Sequence, residues 1–215
     1  MARTADPHMR TRILDAADRL LARHGFRRMT IAGVAAEAGV GKGSVYLHFE
    51  SKEDVALSCI DRMAAGVAEQ LEALSAQPGD AASRLREMLR ARVLVRFDYA
   101  RRHAPSIDEK LAVMRQAMLD RRSTHFGEEA ALLARAIDEG RRAGTLGGPL
   151  EPGPAAAALV NATNALLPYS LSVRELGKRD ELARRLDDVI EVLLSGLRPV
   201  RPARAVSPNR SRRSS

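Results

Sequence analysis

Apolar residues recur along the chain at three- and four-residue spacing, and no segment sustains the alternation of a half-buried strand. This pattern predicts an all-α fold of about nine helices. Ile13, Ala16, Ala17, Leu20 and Leu21 form one face of a first helix, which His24 and Gly25 close. Thr30 is placed to cap a short second helix carrying Ile31, Val34 and Ala35, and Gly39 stops it. A third short helix is expected from about Lys42 to Phe49. Ser51 then caps a fourth, with Glu53 and Asp54 in its first turn, where the helix dipole favours negative charge.

Longer helices follow. One runs from Asp80 to about Arg102, with Leu85, Met88, Leu89, Val93 and Phe97 at apolar spacing. Pro105 and Ser106 restart the chain into a helix through Arg122, and another is expected from about Phe126 to Ala143. Gly144, Gly147, Gly148, Pro149, Pro152 and Gly153 mark a loop. Pro154 suits the first turn of the next helix, which Pro168 should kink or end. The last helix carries Leu182, Leu186, Val189, Ile190, Leu193, Leu194 and Leu197 beside Arg184, Arg185, Asp187 and Asp188. The expected organisation is a three-helix unit over residues 1–52, a helical body over 53–200 and a basic, disordered tail over 201–215.

Composition narrows the class. The chain has 215 residues, 45% of them hydrophobic and 3% aromatic, which excludes a wholly disordered chain and argues against an all-β fold. One cysteine excludes an internal disulfide and any multi-Cys zinc site, and fits a reducing, cytoplasmic setting. The opening residues lack the apolar run of a signal peptide. Pro152 to Val173 carries no charge, but its three prolines and two asparagines predict a buried helix rather than a membrane span. The net charge of +8 is uneven: +4 up to Lys52, −2 from Glu53 to Leu197, and +6 from Arg198 onward. Basic ends of this kind suit nucleic acid or an anionic surface, or are solvated tails.

Enzyme chemistry finds little support. Gly41-Lys42-Gly43-Ser44 has neither the upstream glycine nor the preceding strand of a phosphate-binding loop. The five histidines form no HExxH pattern, so no metal or cofactor is expected. Cys59 shares a helix face with Val55, Ala56 and Met63 and is expected in a core, while Glu128 and Glu129 are expected on a solvated face.

The informative block is Thr30 to Lys52, TIAGVAAEAGVGKGSVYLHFESK. Two short helices joined by a tight turn at Gly39, Val40 and Gly41 make a helix-turn-helix, whose second helix enters the DNA major groove. Ala35, Ala36 and Ala38 permit close packing, and Val34, Val45 and Phe49 supply a small core. Lys42, Gly43, Ser44, Tyr46 and His48 offer a cation, exposed backbone N–H groups, a hydroxyl, a phenol and an imidazole for phosphates and base edges.

From Ile13 to Val55 the chain resembles the N-terminal domain of the tetracycline-repressor (TetR) family of bacterial transcription regulators. The residues that carry the resemblance are Gly25, Phe26, Thr30, Ala38, Gly39, Val40, Gly43, Ser44, Tyr46, Phe49, Ser51, Lys52 and Glu53. Two positions depart from the pattern: Gly33 stands where an acidic residue is common, and Gly41 replaces the usual Ser. The resemblance implies that Lys42, Ser44, Tyr46 and His48 face DNA, that Tyr46 and Lys52 meet phosphates, and that Thr30 touches the DNA backbone. Tyr46 packed on the first helix, and His48 as a plain surface residue, remain open alternatives. Arg3, Arg10 and Arg12 are either an arm reaching an adjacent groove or a solvated terminus.

The resemblance further implies a homodimer on a palindromic operator of double-stranded DNA, with the last two apolar helices at the interface, unless their stripes are buried within one chain. It also implies a small-molecule effector in the helical body. Candidate pocket residues, which mix polarity with apolar faces, are Met88, Arg92, Phe97, Met114, Met118, His125, Asn161, Asn164 and Tyr169, and any of them is equally well a plain core residue. The expected function is a repressor released by its effector. The alternatives are an activator or partner-controlled regulator, and a helical small-molecule-binding protein or enzyme whose basic N-terminus is incidental.

Overall fold

The caps and breakers in the sequence account for most helix ends. The computed structural model describes residues 8–167 and 177–199, and for 104–115 the backbone path alone. Among the described residues there are eight α-helices and no strand: α1 (Met9–Arg28), α2 (Ile31–Ala38), α3 (Lys42–Tyr46), α4 (Lys52–Ser75), α5 (Ala81–Arg102), α6 (Ala104–Arg142), α7 (Pro152–Asn164) and α8 (Arg179–Ser195). Thr30, Ser51 and Asp80 each accept a hydrogen bond from the backbone N–H three residues on, at 3.0, 3.1 and 3.0 Å. Gly25 breaks the regular path of α1 at φ 78°, and Gly39 ends α2 in the left-handed region at φ 68°.

Two expectations about helix length change. The third helix stops at Tyr46, and Leu47 and His48 form a turn. The two helices expected over 105–122 and 126–143 are one, the 39-residue α6, so the described residues hold eight helices rather than nine. Nothing between Arg122 and Phe126 breaks a helix. Ser123 donates to the Asp120 carbonyl at 2.8 Å, so its hydroxyl is satisfied without leaving the helical path. At 1.5 Å per residue α6 spans about 58 Å, enough to run the length of a small domain.

Two hydrophobic clusters form. The head cluster joins Ile13, Leu14 and Leu21 of α1 with Val34, Val45 and Phe49, and is completed by Val55, Ala56 and Cys59 from the first turns of α4. The body cluster gathers Leu85, Met88, Leu89 and Phe97 of α5, Leu133 and Ile137 of α6, Leu159 of α7, and Leu182, Leu186, Ile190 and Leu194 of α8. The apolar stripe of α8 is thus buried within the chain, although Val192 stays 73% exposed. Helices α4 and α6 reach both clusters: Ala117 and Met118 pack on the head while Leu133 and Ile137 lie in the body.

Glu128 and Glu129 part company. Glu128 is exposed as expected, whereas Glu129 is only 1% exposed and meets Arg92 and Arg96. Successive residues on a helix point about 100° apart, so adjacent carboxylates cannot share one solvated face. Among the described residues, no helix is long and apolar enough to cross a membrane. Pro168 and the tail from 200 onward lie outside the described residues.

Candidate nucleic-acid interface

Packing of α2 against α3 turns one edge of the head outward. Val45 and Phe49 anchor α3 from inside, which sends Lys42, Tyr46 and Leu47 to the surface. Tyr46 is 58% exposed and Leu47 84%. Thr30, Lys42, Tyr46 and Lys52 come together around an open groove of about 430 Å³, which Ile31, Ala32 and Ser51 also line. The starts of α2 and α4 both border this groove, and helix N-termini present partial positive charge and free N–H groups. Two lysines against the single carboxylate of Glu50, with a phenol, two hydroxyls and two helix starts, make a surface suited to a phosphate backbone.

One of the two lysines is held in place. The Lys52 ammonium lies 4.5 Å from the centre of the Phe26 ring and 3.5 Å from the Phe26 carbonyl oxygen, to which it donates. Thr30 uses its hydroxyl oxygen as the acceptor of the α2 cap, which leaves its O–H free to donate outward. Gly43 and Ser44 continue the α3 surface beside the groove, with Gly43 exposed and Ser44 half-buried. His48 is half-buried beyond the end of α3, with its ring 6.4 Å from that of Phe49.

The α1–α2 angle is fixed by charge as well as packing. Glu37 accepts from Arg19 at 2.7 Å and Arg23 at 2.6 Å. These contacts, that of Arg19 first, hold its carboxyl below the usual range. Arg12 donates to the Ala38 carbonyl at 3.0 Å, capping the end of α2, and the Arg10 guanidinium sits 5.2 Å from the Phe49 ring centre. Arg10 and Arg12 therefore belong to α1 and bind the head rather than forming a free arm; Arg3 lies outside the described residues.

The sequence did not single out Leu47. Its signal is an apolar residue out of register with Val45 and Phe49, so that the turn that buries them exposes it.

The residues expected to line an effector pocket are dispersed. Met88 and Phe97 lie in the body core, and Arg92 is fully buried on the same helix. Met118 packs on the head cluster, His125 stands 3.5 Å from Asp61, and Asn161 is on an exposed face. Asn164 accepts from Arg92 at 2.9 Å. The Met114 side chain and Tyr169 lie outside the described residues. Among the described residues, no group of three or more His, Cys, Asp or Glu side chains is placed to hold a metal ion.

Residues 13–59 match the sequence profile of the family described as bacterial regulatory proteins, tetR family. The transcriptional regulator AcrR of Shigella flexneri is 36% identical over 81 residues, 37% of this chain and 38% of that protein. The chain spans less than half the length of the curated relatives it matches. A putative TetR-family regulator from Mesorhizobium loti superimposes with a TM-score of 0.71 at 20% identity, covering 91% of this chain and all of the other. FadR of Bacillus subtilis, solved in complex with stearoyl-CoA, gives a TM-score of 0.61 at 20% identity, covering 86% and 98%. The match lies on the helix-turn-helix just described, and the similarity of fold extends through the helical body. The head of this chain, residues 13–59, thus carries the sequence pattern of the bacterial regulatory proteins of the tetR family.

Proposed function

We propose that this chain is a homodimeric repressor that binds a palindromic operator through its head and leaves it when a small molecule occupies the body. The observation that carries this reading is the open groove where Thr30, Lys42, Tyr46 and Lys52 converge with two helix starts. Phosphate contacts from these groups set the register, and the exposed surface of α3 reads base edges in the major groove. Two copies are needed because one short helix covers few base pairs, and half-sites one helical turn apart bring specificity.

The exposed side of α8, with Val192 and the half-buried Val189 and Leu193, and the outward alanines of α7 (Ala157, Ala158 and Ala162) supply the dimer face. Coupling runs through α4 and α6, which join both clusters. An effector releases DNA only by binding the DNA-incompetent arrangement more tightly, by a few kcal/mol. An effector with an apolar body suits a helical domain with so few aromatic residues.

Capture of genomic fragments by the purified protein, followed by binding to the recovered duplexes, tests the reading. It predicts a shared inverted repeat bound by two chains. Recovery of fragments with no common sequence would remove the operator, and with it the repressor.

A further inference from the structure

Where α5, α6 and α7 meet, cations outnumber anions. Arg92 and Arg96 lie one turn apart on α5, both buried, and share the carboxylate of Glu129 on α6. Arg92 is saturated. Its Nε donates to Glu129 at 2.8 Å, one Nη to the Thr163 hydroxyl and, at 3.4 Å, to the Val160 carbonyl, and the other Nη to Asn164 at 2.9 Å. It is a tie across three helices. Arg96 donates to the Arg92 carbonyl at 2.7 Å and to Glu129. Arg122, one turn before Phe126 on α6, has no carboxylate partner among the described residues. All three guanidinium carbons stand close to the Phe126 ring centre, Arg92 at 5.2, Arg96 at 5.7 and Arg122 at 5.6 Å.

Three guanidinium groups thus surround one ring with one carboxylate among them. Uncompensated charge is costly where water is scarce. Burial, opposed by Glu129, pushes the Arg92 guanidinium below its ordinary value. Arg122 is only half-buried, so the open edge of this cluster is on its side.

Resting on the regulator reading above, we propose that the effector is an organic acid with one carboxylate on an apolar body, and that Arg96 and Arg122 receive the carboxylate beside Phe126. A carboxylate matches the planar fork of a guanidinium and is attracted to the positive edge of an aromatic ring. Glu129 in the same cluster repels a phosphate dianion about twice as strongly as a monoanion. Phe126 itself packs against the body core of Met88, Phe97 and Leu133, so the acid's apolar part would lie beside apolar surface. Arg122 also stands next to Arg121, which pairs with Asp54 and Asp61 of α4, so an acid held there acts on the helix pair that reaches the head.

The test uses the full chain and follows thermal stability and operator binding with octanoate, decanoate and benzoate. The controls are octanamide, octanoyl-CoA and inorganic phosphate, each up to about 1 mM, where even weak binders register. The carboxylates should raise Tm in a saturable way and the controls should not. Arg122→Gln, which removes no ion pair, should weaken that response at least tenfold with DNA affinity unchanged, and Arg122→Lys should keep most of it. Failure of every carboxylate to shift Tm, an equal response to octanamide or phosphate, or an Arg122→Gln variant that responds like the parent would overturn the proposal. A protein that binds operator but responds only to neutral ligands loses this proposal and keeps the regulator reading. One that binds carboxylates through Arg122 but has no affinity for DNA loses the reading instead.

Discussion

Tyr46 and Gly39 stand for two kinds of residue in the head, one exposed beside the groove and proposed to meet DNA, and one that sets the turn between the two short helices. Tyr46 reaches 58% exposure because Val45 and Phe49 are held in the core on either side of it. Its phenol is therefore available to a phosphate at little structural cost. Tyr46→Ala should weaken operator binding about five- to tenfold, the worth of one hydrogen bond, with an unchanged melting curve; equal affinity would take Tyr46 out of the interface. Gly39 sits at φ 68° between α2 and α3, a conformation that costs an L side chain roughly 1–2 kcal/mol. Gly39→Ala should lower the unfolding free energy by that amount, read as a lower urea midpoint at an unchanged unfolding slope. Gly41, by contrast, has φ −72° and open space where a Cβ would stand. Gly41→Ser should change stability by only a few tenths of a kcal/mol, since glycine is already an acceptable cap.

Among the elements, α1 carries the join between head and body. Asp18 meets the His103 imidazole at 3.2 Å and accepts from Tyr99 at 3.3 Å, both from the end of α5. Burial works against its charge, but His103, Arg62 and Tyr99 outweigh it and hold the carboxyl below its ordinary value. A carboxyl lowered in the folded state adds stability above its unfolded value, about 3.9, and loses it as the pH falls through the folded value. Asp18→Asn should therefore lower Tm at neutral pH, and the gap to the parent should close only below about pH 3.9. A gap that stays constant into acid would separate Asp18 from this join. Elements with strong local signals were legible in the sequence: Thr30 and Ser51 cap where expected, and the head core of Val34, Val45 and Phe49 forms. What escaped depends on contacts distant in the chain. Glu129 looked like a surface residue because its partners are more than thirty positions away on α5. α6 looked like two helices because polar residues at Ser123 and Thr124 resemble a loop until their helical surroundings are known. Likewise, the α8 stripe alone does not say whether it faces this chain or a second copy; α5 takes it, leaving Val192 outside.

For the whole molecule, two helices reach both the head and the body clusters, and in the proposed regulator a second copy sets the spacing of the heads. The dimer face is the part most open to direct challenge. Val192→Glu places a charge on an outward, 73% exposed position and should not disturb the body core. It should yield a folded monomer by sedimentation, with operator affinity reduced at least a hundredfold because two-site binding is lost. A folded dimer with full affinity would move the interface elsewhere. The central claim, that the groove of Thr30, Lys42, Tyr46 and Lys52 reads a specific operator, is tested most directly by fluorescence anisotropy. The captured duplex is compared with a scrambled duplex of equal length across a salt series. Affinity for the operator should exceed that for the scramble by about a thousandfold or more, and the logarithm of affinity should fall linearly with that of salt. Equal affinity for the two duplexes at every salt concentration would contradict the account.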